Sequence, residues 1–251
     1  MTKQRLDLAV VERGLVDSRA KAQSLIMARR VLVNGKHVDK AGALVAADDV
    51  LAIEALEHPW VGRGGMKLAH ALEQFGIDIT GKVCADIGAS TGGFTDVMLK
   101  NGAAKVYAID VGYGQLDASL RNDPRVVNRE KVNARYLTAS DFDEAIDFVS
   151  IDVSFISLKL ILPAVATFAR GDVVALIKPQ FEVGKRDVGK GGIVRDDAKR
   201  AAAVESVVAF AREIGFAVKG VIESPVKGAE GNVEYLMNAD TRAVPPATTP
   251  A

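Results

Sequence analysis

The sequence predicts an α/β protein: a Rossmann-like, mostly parallel sheet with its last strand antiparallel, preceded by a small α+β domain. Three observations carry that expectation. From Val83 to Glu213 short apolar runs alternate with helical patterns, as repeated βα units do. The run Val83-Cys84-Ala85-Asp86 feeds directly into a glycine-rich turn and an apolar helical stripe, Phe94, Val97, Met98 and Leu99. The last two apolar runs, Phe216 to Glu223 and Val233 to Asn238, are separated only by SPVKGAEGN, too short for a helical crossover.

Composition sets the outer limits. The chain has 251 residues, 49% hydrophobic and 25% charged, which suits one large domain with a small companion. No apolar run approaches the roughly 20 residues of a membrane span, and the N-terminus lacks a signal-peptide core, so a cytoplasmic protein without a membrane partner is expected. One cysteine, Cys84, excludes an internal disulfide and reads as a small core residue; with three histidines it leaves no metal cluster, so metal-free chemistry is expected. The net charge is zero but segregated: residues 1–42 hold nine Lys/Arg against four Asp/Glu.

In chain order, Leu6, Ala9 and Val10 set a short amphipathic helix stopped at Gly14, and Ser18 is a good N-cap for a second helix carrying Arg19, Lys21, Arg29 and Arg30. Val31 to Val33, a turn at Asn34-Gly35 and Val50 to Ala55 predict strands around a hairpin. A basic two-helix unit with a hairpin is a reasonable RNA-docking shape, although a solvated helix face fits the same charges. Domain boundaries are expected at 1–57, a short linker at 58–64, a large domain at 65–240 and a disordered tail at 241–251 (TRAVPPATTPA). In the large domain, a helix runs from Met66 to Gly76; strands are expected at 105–109, 126–129, 148–153 and 173–177, with helical patterns at 93–101, 115–122, 158–169 and 197–213.

The glycine turn reads D-I-G-A-S-T-G-G from Asp86 to Gly93, not the G-x-G-x-x-G of a dinucleotide site. Asp86 would repel a pyrophosphate but suits a cationic amino group. Asp110, ending the second strand, is placed to accept hydrogen bonds from ribose hydroxyls. An adenosine joined to an amino acid meets both demands, and S-adenosyl-L-methionine is the expected cofactor. Its contacts are expected from Asp86, Gly88, Ser90, Gly92, Gly93, Phe94, Asp110 and Asn133, the last reading the adenine edge or merely capping a turn.

Two resemblances sharpen this. RLD-x6-G from Arg5 and DSRAKAQSLIMARRVLVNGK from Asp17 resemble the alpha-L RNA-binding module over about Arg5 to Ile53, with Arg30 where that family usually has Gly. The resemblance implies RNA contacts by Arg5, Arg19, Lys21, Arg29 and Lys40; Arg63 and Arg135 flank the expected pocket and suit RNA phosphates. GRGGMKL, DIGASTGGFTD, SIDVSFIS, IKPQFE, VGKGGIVRD and GNVEYL resemble the FtsJ-type ribose 2′-O-methyltransferases, and the whole chain resembles the TlyA-type family, also known as hemolysins. That implies a Rossmann-like S-adenosylmethionine-dependent methyltransferase with a Lys67, Asp152, Lys178 and Glu234 tetrad, acting on ribosomal RNA of one or both subunits, with cytidine as the methylated nucleoside. Lys178 is the expected base, Lys67 the electrostatic stabiliser, and Asp152 and Glu234 their orienting carboxylates. The loop VGKRDVGKGGIVR, residues 183–195, reads as a lid over RNA or as a plain surface loop. Competing readings are a base methyltransferase, a non-catalytic ribosome-assembly factor and a hemolysin-like toxin; the last lacks an amphipathic membrane segment.

Overall fold

The computed structural model describes residues 3–27, 29–54, 58–228 and 231–241. The chain forms two compact units, Met1–Pro59 and Trp60–Ala251.

The first unit opens with β1 (Gln4–Arg5) and α1 (Leu6–Glu12), then α2 (Arg19–Met27). The Ser18 hydroxyl accepts from the Lys21 amide at the start of α2, as an N-cap does. Strands β2 (Val31–Val33) and β3 (Lys36–Val38) form a hairpin around Asn34-Gly35, both with positive φ, the geometry a tight hairpin turn needs. Then follow β4 (Leu44–Val45), antiparallel to β1, and β5 (Leu51–Ile53), antiparallel to β2. Leu6, Ala9, Val10, Ala22, Ile26 and Val31 close a small core. The two-residue strands β1 and β4 left no periodic signal in the sequence.

The second unit begins with α3 (Gly64–Phe75), so Gly64 opens a helix rather than closing a linker. There follow β6 (Val83–Ile87), α4 (Gly93–Lys100), β7 (Lys105–Ile109), α5 (Ala118–Arg121), β8 (Val126–Arg129), β9 (Ile146–Ile151), α6 (Leu162–Phe168), β10 (Ala169–Ile177), α7 (Pro179–Glu182), α8 (Asp197–Glu213), β11 (Ala217–Glu223) and β12 (Tyr235–Asp240). The seven strands are ordered β11-β12-β10-β9-β6-β7-β8; β12 is antiparallel to both neighbours, and the pairings from β10 through β8 are parallel.

Strand alternation sorts the side chains into two cores. Ala85, Ile87, Tyr107, Ile109, Val149 and Ile151 face α6 and α8, whereas Cys84, Val106, Ala108 and Phe148 face α3 and α4. Burial pushes the Cys84 thiol up to about 12, which suits a packing residue and not a nucleophile. Two helical patterns shrink. The pattern at 115–122 keeps one turn, with Asp117 accepting from the Ser119 amide as its N-cap. That at 158–169 starts as a 3-10 turn, Leu158–Leu160, before Pro163 enters the first turn of α6. Thr241, the first residue of the expected tail, is buried and its hydroxyl donates to the Ala169 and Gly171 carbonyls. The rest of that tail, residues 242–251, lies outside the described residues.

Sheet order decides where a ligand fits. From β6 the chain moves outward to β7 and β8, then returns to place β9 on the other side of β6. The C-terminal ends of β6 and β9 form the switch point at which open α/β sheets bind ligands.

Candidate active site at the switch point

Gly88 follows β6 and Asp152 follows β9, and the two loops touch. The Asp152 amide donates to the Ile87 carbonyl at 2.8 Å, and a Cβ on Gly88, whose φ is +87°, would stand 2.3 Å from the Asp152 carbonyl oxygen. Only glycine allows that approach.

Two cavities open on either side of this contact and share Gly88, Ser90 and Asp152. One, of about 420 Å³, has a largely apolar wall from Ile87, Val111, Val132, Ala134 and Ile156, with Asp110 and Asn133 at its edge. The other, of about 310 Å³, is lined by Arg63, Lys67, Phe94, Lys227 and Gly228. Both volumes lie in the range of small-molecule sites.

On the first side, Asp110 accepts from the Ser90 amide at 2.8 Å and the Gly112 amide at 2.6 Å, which ties the glycine turn to the end of β7. Its carboxylate retains lone pairs for hydroxyls in the cavity. The Asn133 carbonyl oxygen of the side chain caps the following 3-10 turn by accepting from the Arg135 amide, while the residue also lines the cavity. The turn-capping alternative for Asn133 is therefore present in the structure.

Two expected cofactor contacts do not face either cavity. Asp86 is fully buried beneath the turn; its oxygens accept from the hydroxyls of Thr95 on α4, at 2.7 Å, and Ser150 on β9, at 3.0 Å. Burial pushes this carboxyl up to about 7, the two hydroxyls opposing the rise. The sequence places Asp86 next to the turn, but its position on β6 points it at the α4 face and away from a ligand. Gly92 is the second. Its φ is +96°, and a Cβ there would stand 2.2 Å from the Leu120 side chain and 2.8 Å from that of Leu116, so it is a packing glycine. Gly88, Ser90, Gly93 and Phe94 do line cavity wall.

The four residues of the expected tetrad form two ion pairs. Lys67 Nζ on α3 lies 2.5 Å from Glu234 Oε2, just ahead of β12, and both side chains are buried. Lys178 Nζ, after β10, lies 2.6 Å from Asp152 Oδ1 and donates to Ser154 Oγ at 2.9 Å. Gly228 is held against Glu234: a Cβ there would stand 2.0 Å from Oε1. Ser154 and Lys227 are site residues that sequence reasoning missed. Ser154 was findable two positions past Asp152 in SIDVSFIS; Lys227 sits in a loop with no local signal.

Phe155 stands at the mouth. It is 91% exposed, holds a φ of +64° and lies 5.1 Å, centroid to centroid, from the Phe181 ring. A positive φ on an aromatic residue is strained, and here it holds the ring out into solvent.

Arg63 and Arg135 are exposed, and only Arg63 lines a cavity. In the first unit Arg5 and Arg19 are half-exposed and bind Asp7, Lys21 pairs with Asp17 at 3.5 Å, and Arg29 and Lys40 are exposed. The 183–195 loop is tethered: buried Asn232 accepts from the Val194 amide and donates to the Gly192 carbonyl. Among the described residues no group of three or more His, Cys, Asp or Glu side chains could hold a metal, and no helix is long and apolar enough to cross a membrane.

Known proteins carry the same architecture. The FtsJ-like methyltransferase model matches residues 60–241, and the S4 domain model matches residues 4–51. The chain is 48% identical over 238 residues to the 16S/23S rRNA (cytidine-2′-O)-methyltransferase TlyA of Mycobacterium tuberculosis, covering 94% of this chain and 89% of that protein. It is 45% identical over 236 residues to Hemolysin A of Brachyspira hyodysenteriae, covering 92% and 98%. A solved structure from Streptococcus thermophilus, described as a candidate hemolysin, superposes with a TM-score of 0.74 at 45% identity, covering 96% of this chain and 89% of that one.

Proposed function

The chain belongs to the FtsJ-like methyltransferase family, with an S4 domain ahead of the catalytic unit, and from that membership we infer a ribosomal RNA methyltransferase that modifies a cytidine ribose 2′-hydroxyl with S-adenosylmethionine as donor. The observation that carries this reading is the placement of two lysine–carboxylate pairs, one buried and one part-buried, beside the seam of the two cavities.

The residues suit the donor. An apolar wall with a carboxylate at its edge accepts an adenosine, the base against Val111, Val132 and Ile156 and the ribose hydroxyls toward Asp110. When bound, S-adenosylmethionine supplies an electrophilic methyl group on a sulfonium centre. The chain's own residues then have three tasks. Gly88, Ser90 and Asp152 form the common floor on which the reacting groups are brought into line. Lys178, held by Asp152 and Ser154, acts as the neutral amine: having released its own proton to solvent, it accepts the proton from the ribose hydroxyl. Lys67, held by Glu234, faces the oxygen as its charge develops. Phe155, at the mouth, offers a face on which a base drawn out of an RNA stack can rest.

The test is direct. The purified chain is incubated with donor and with 16S or 23S rRNA, and the RNA is digested to nucleosides for mass spectrometry. A methyl on the ribose of cytidine supports the reading; a methyl on a base, or no transfer at saturating donor, overturns it.

A further inference from the structure

The first unit contains a buried carboxylate that none of the chemistry above uses. Asp7, at the start of α1, has a fully buried side chain. Its Oδ1 accepts from Arg5 Nε at 3.0 Å and its Oδ2 from Arg5 Nη2 at 3.0 Å, a two-pronged contact with the guanidinium edge. Oδ2 also accepts from Arg19 Nε at 3.0 Å and from Gln23 Nε2 at 2.9 Å. One carboxylate thus ties the end of β1 to α2.

We propose that Asp7 is a positioning residue that sets Arg5 and Arg19 as a fixed pair of forks for a backbone phosphate of RNA. The inference rests on the reading of this unit as an RNA-binding one, and it adds the residue that organises the contact and the chemical group contacted.

The geometry argues for a positioning role. A guanidinium has five N–H donors, and Asp7 takes two from Arg5 and one from Arg19, so most of each fork is left over. The Arg5 and Arg19 side chains are 46% and 52% exposed while the carboxylate that holds them is at 0%. Gly42 leaves room for the arrangement, since a Cβ there would stand 3.2 Å from Arg5 Nη1. The Arg5 contacts hold the Asp7 carboxyl well below the usual carboxylate range, so the anchor stays ionised at any working pH.

The charge count sets this proposal against a purely electrostatic account. Two arginines and one aspartate leave a single net positive charge, so Asp7 halves the attraction these arginines exert on RNA. A surface selected for charge alone would have a neutral residue in that place. What the carboxylate contributes is order: a free arginine loses rotamer entropy when it binds, and one already held by Asp7 has lost it beforehand. A guanidinium fork matches the paired oxygens of a phosphodiester, a contact that fixes register without reading sequence.

The two accounts predict opposite signs for one substitution. Asp7→Asn in the full chain adds a positive charge, so a purely electrostatic surface binds RNA more tightly. A positioned pair binds it more weakly, by roughly tenfold, as two arginines become free to move. Affinity for in-vitro transcribed 23S rRNA is read by fluorescence anisotropy across a salt series, below the thermal unfolding of each variant. Weaker binding, with the slope against salt reduced by about one per lost phosphate contact, supports the proposal. Parental or tighter binding by folded Asp7→Asn overturns it.

If Asp7→Asn does not fold, Arg5→Lys decides, because it keeps the charge and removes the fork. A several-fold loss of affinity supports the proposal, and unchanged affinity overturns it. Arg5→Ala and Arg19→Ala separate the two levels. If both bind RNA as the parent does, the RNA-binding reading of this unit fails and the inference with it. If both bind weakly while Asp7→Asn matches the parent, only the inference fails.

Discussion

Lys67 on α3 and Glu234 just ahead of β12 are 167 residues apart in sequence and 2.5 Å apart in the fold, and their side chains are only 11% and 2% exposed. Neither charge could be buried there without the other.

The pair has a thermodynamic signature. Glu234→Ala leaves the buried Lys67 ammonium without its carboxylate and is expected to cost roughly 3–5 kcal/mol of stability. A double substitution, Lys67→Met with Glu234→Leu, should recover most of that loss in a denaturant melt and still transfer no methyl group. Recovery of activity together with stability would assign the pair to structure alone.

Lys178→Ala is expected to lower turnover by roughly a hundredfold or more while donor and RNA remain bound, since a base acts only as the proton leaves. Single-turnover methyl transfer at saturating substrates reads this. Near-parental turnover would remove Lys178 from the reaction. Ser154→Ala should reduce turnover less, because Asp152 still holds the amine.

Asp110→Ala is expected to weaken donor binding measured by calorimetry and to leave RNA affinity close to parental. It removes both a candidate ribose acceptor and the anchor of the Ser90 and Gly112 amides. Equal donor affinity in variant and parent would take Asp110 out of the donor site.

The buried Asp86 makes stability depend on pH. Its carboxyl is raised from 3.8 in the unfolded chain to about 7 in the folded one, so between those values the folded state binds the additional proton. This contribution is complete below pH 3.8 and is lost as pH rises through about 7. Asp86→Asn should flatten that decline, so that the difference in Tm between variant and parent grows in the variant's favour from pH 5 to pH 8. A constant difference over that range would rule out the proton.

Asn232→Ala cuts the hydrogen bonds to Gly192 and Val194 and should release the 183–195 loop. Trypsin cleavage at the exposed Lys190 and Arg195 then accelerates several-fold at unchanged global stability. Parental cleavage rates would show that the loop is held elsewhere.

The sequence by itself determined the α/β class, the antiparallel last strand and the position of the glycine turn. These follow from local facts: apolar runs of strand length, connection lengths too short for a crossover, and a glycine-rich run, Gly88 to Gly93, directly after the first of those apolar runs. The resemblance of its motifs to known enzymes named Lys67, Asp152, Lys178 and Glu234, but not how they meet. Tertiary structure decided that Lys67 answers Glu234 and Lys178 answers Asp152, because those distances depend on strand order and not on spacing along the chain. It also turned Asp86 and Gly92 away from the cavities. An acidic residue before a glycine turn reads the same whether it faces a ligand or the underside of a helix, and β6 points Asp86 at Thr95 and Ser150. Asp7 belongs with these: in sequence it is one acid among basic residues, and only the packing of β1 and α1 on α2 places it beneath Arg5 and Arg19, where a buried charge requires partners.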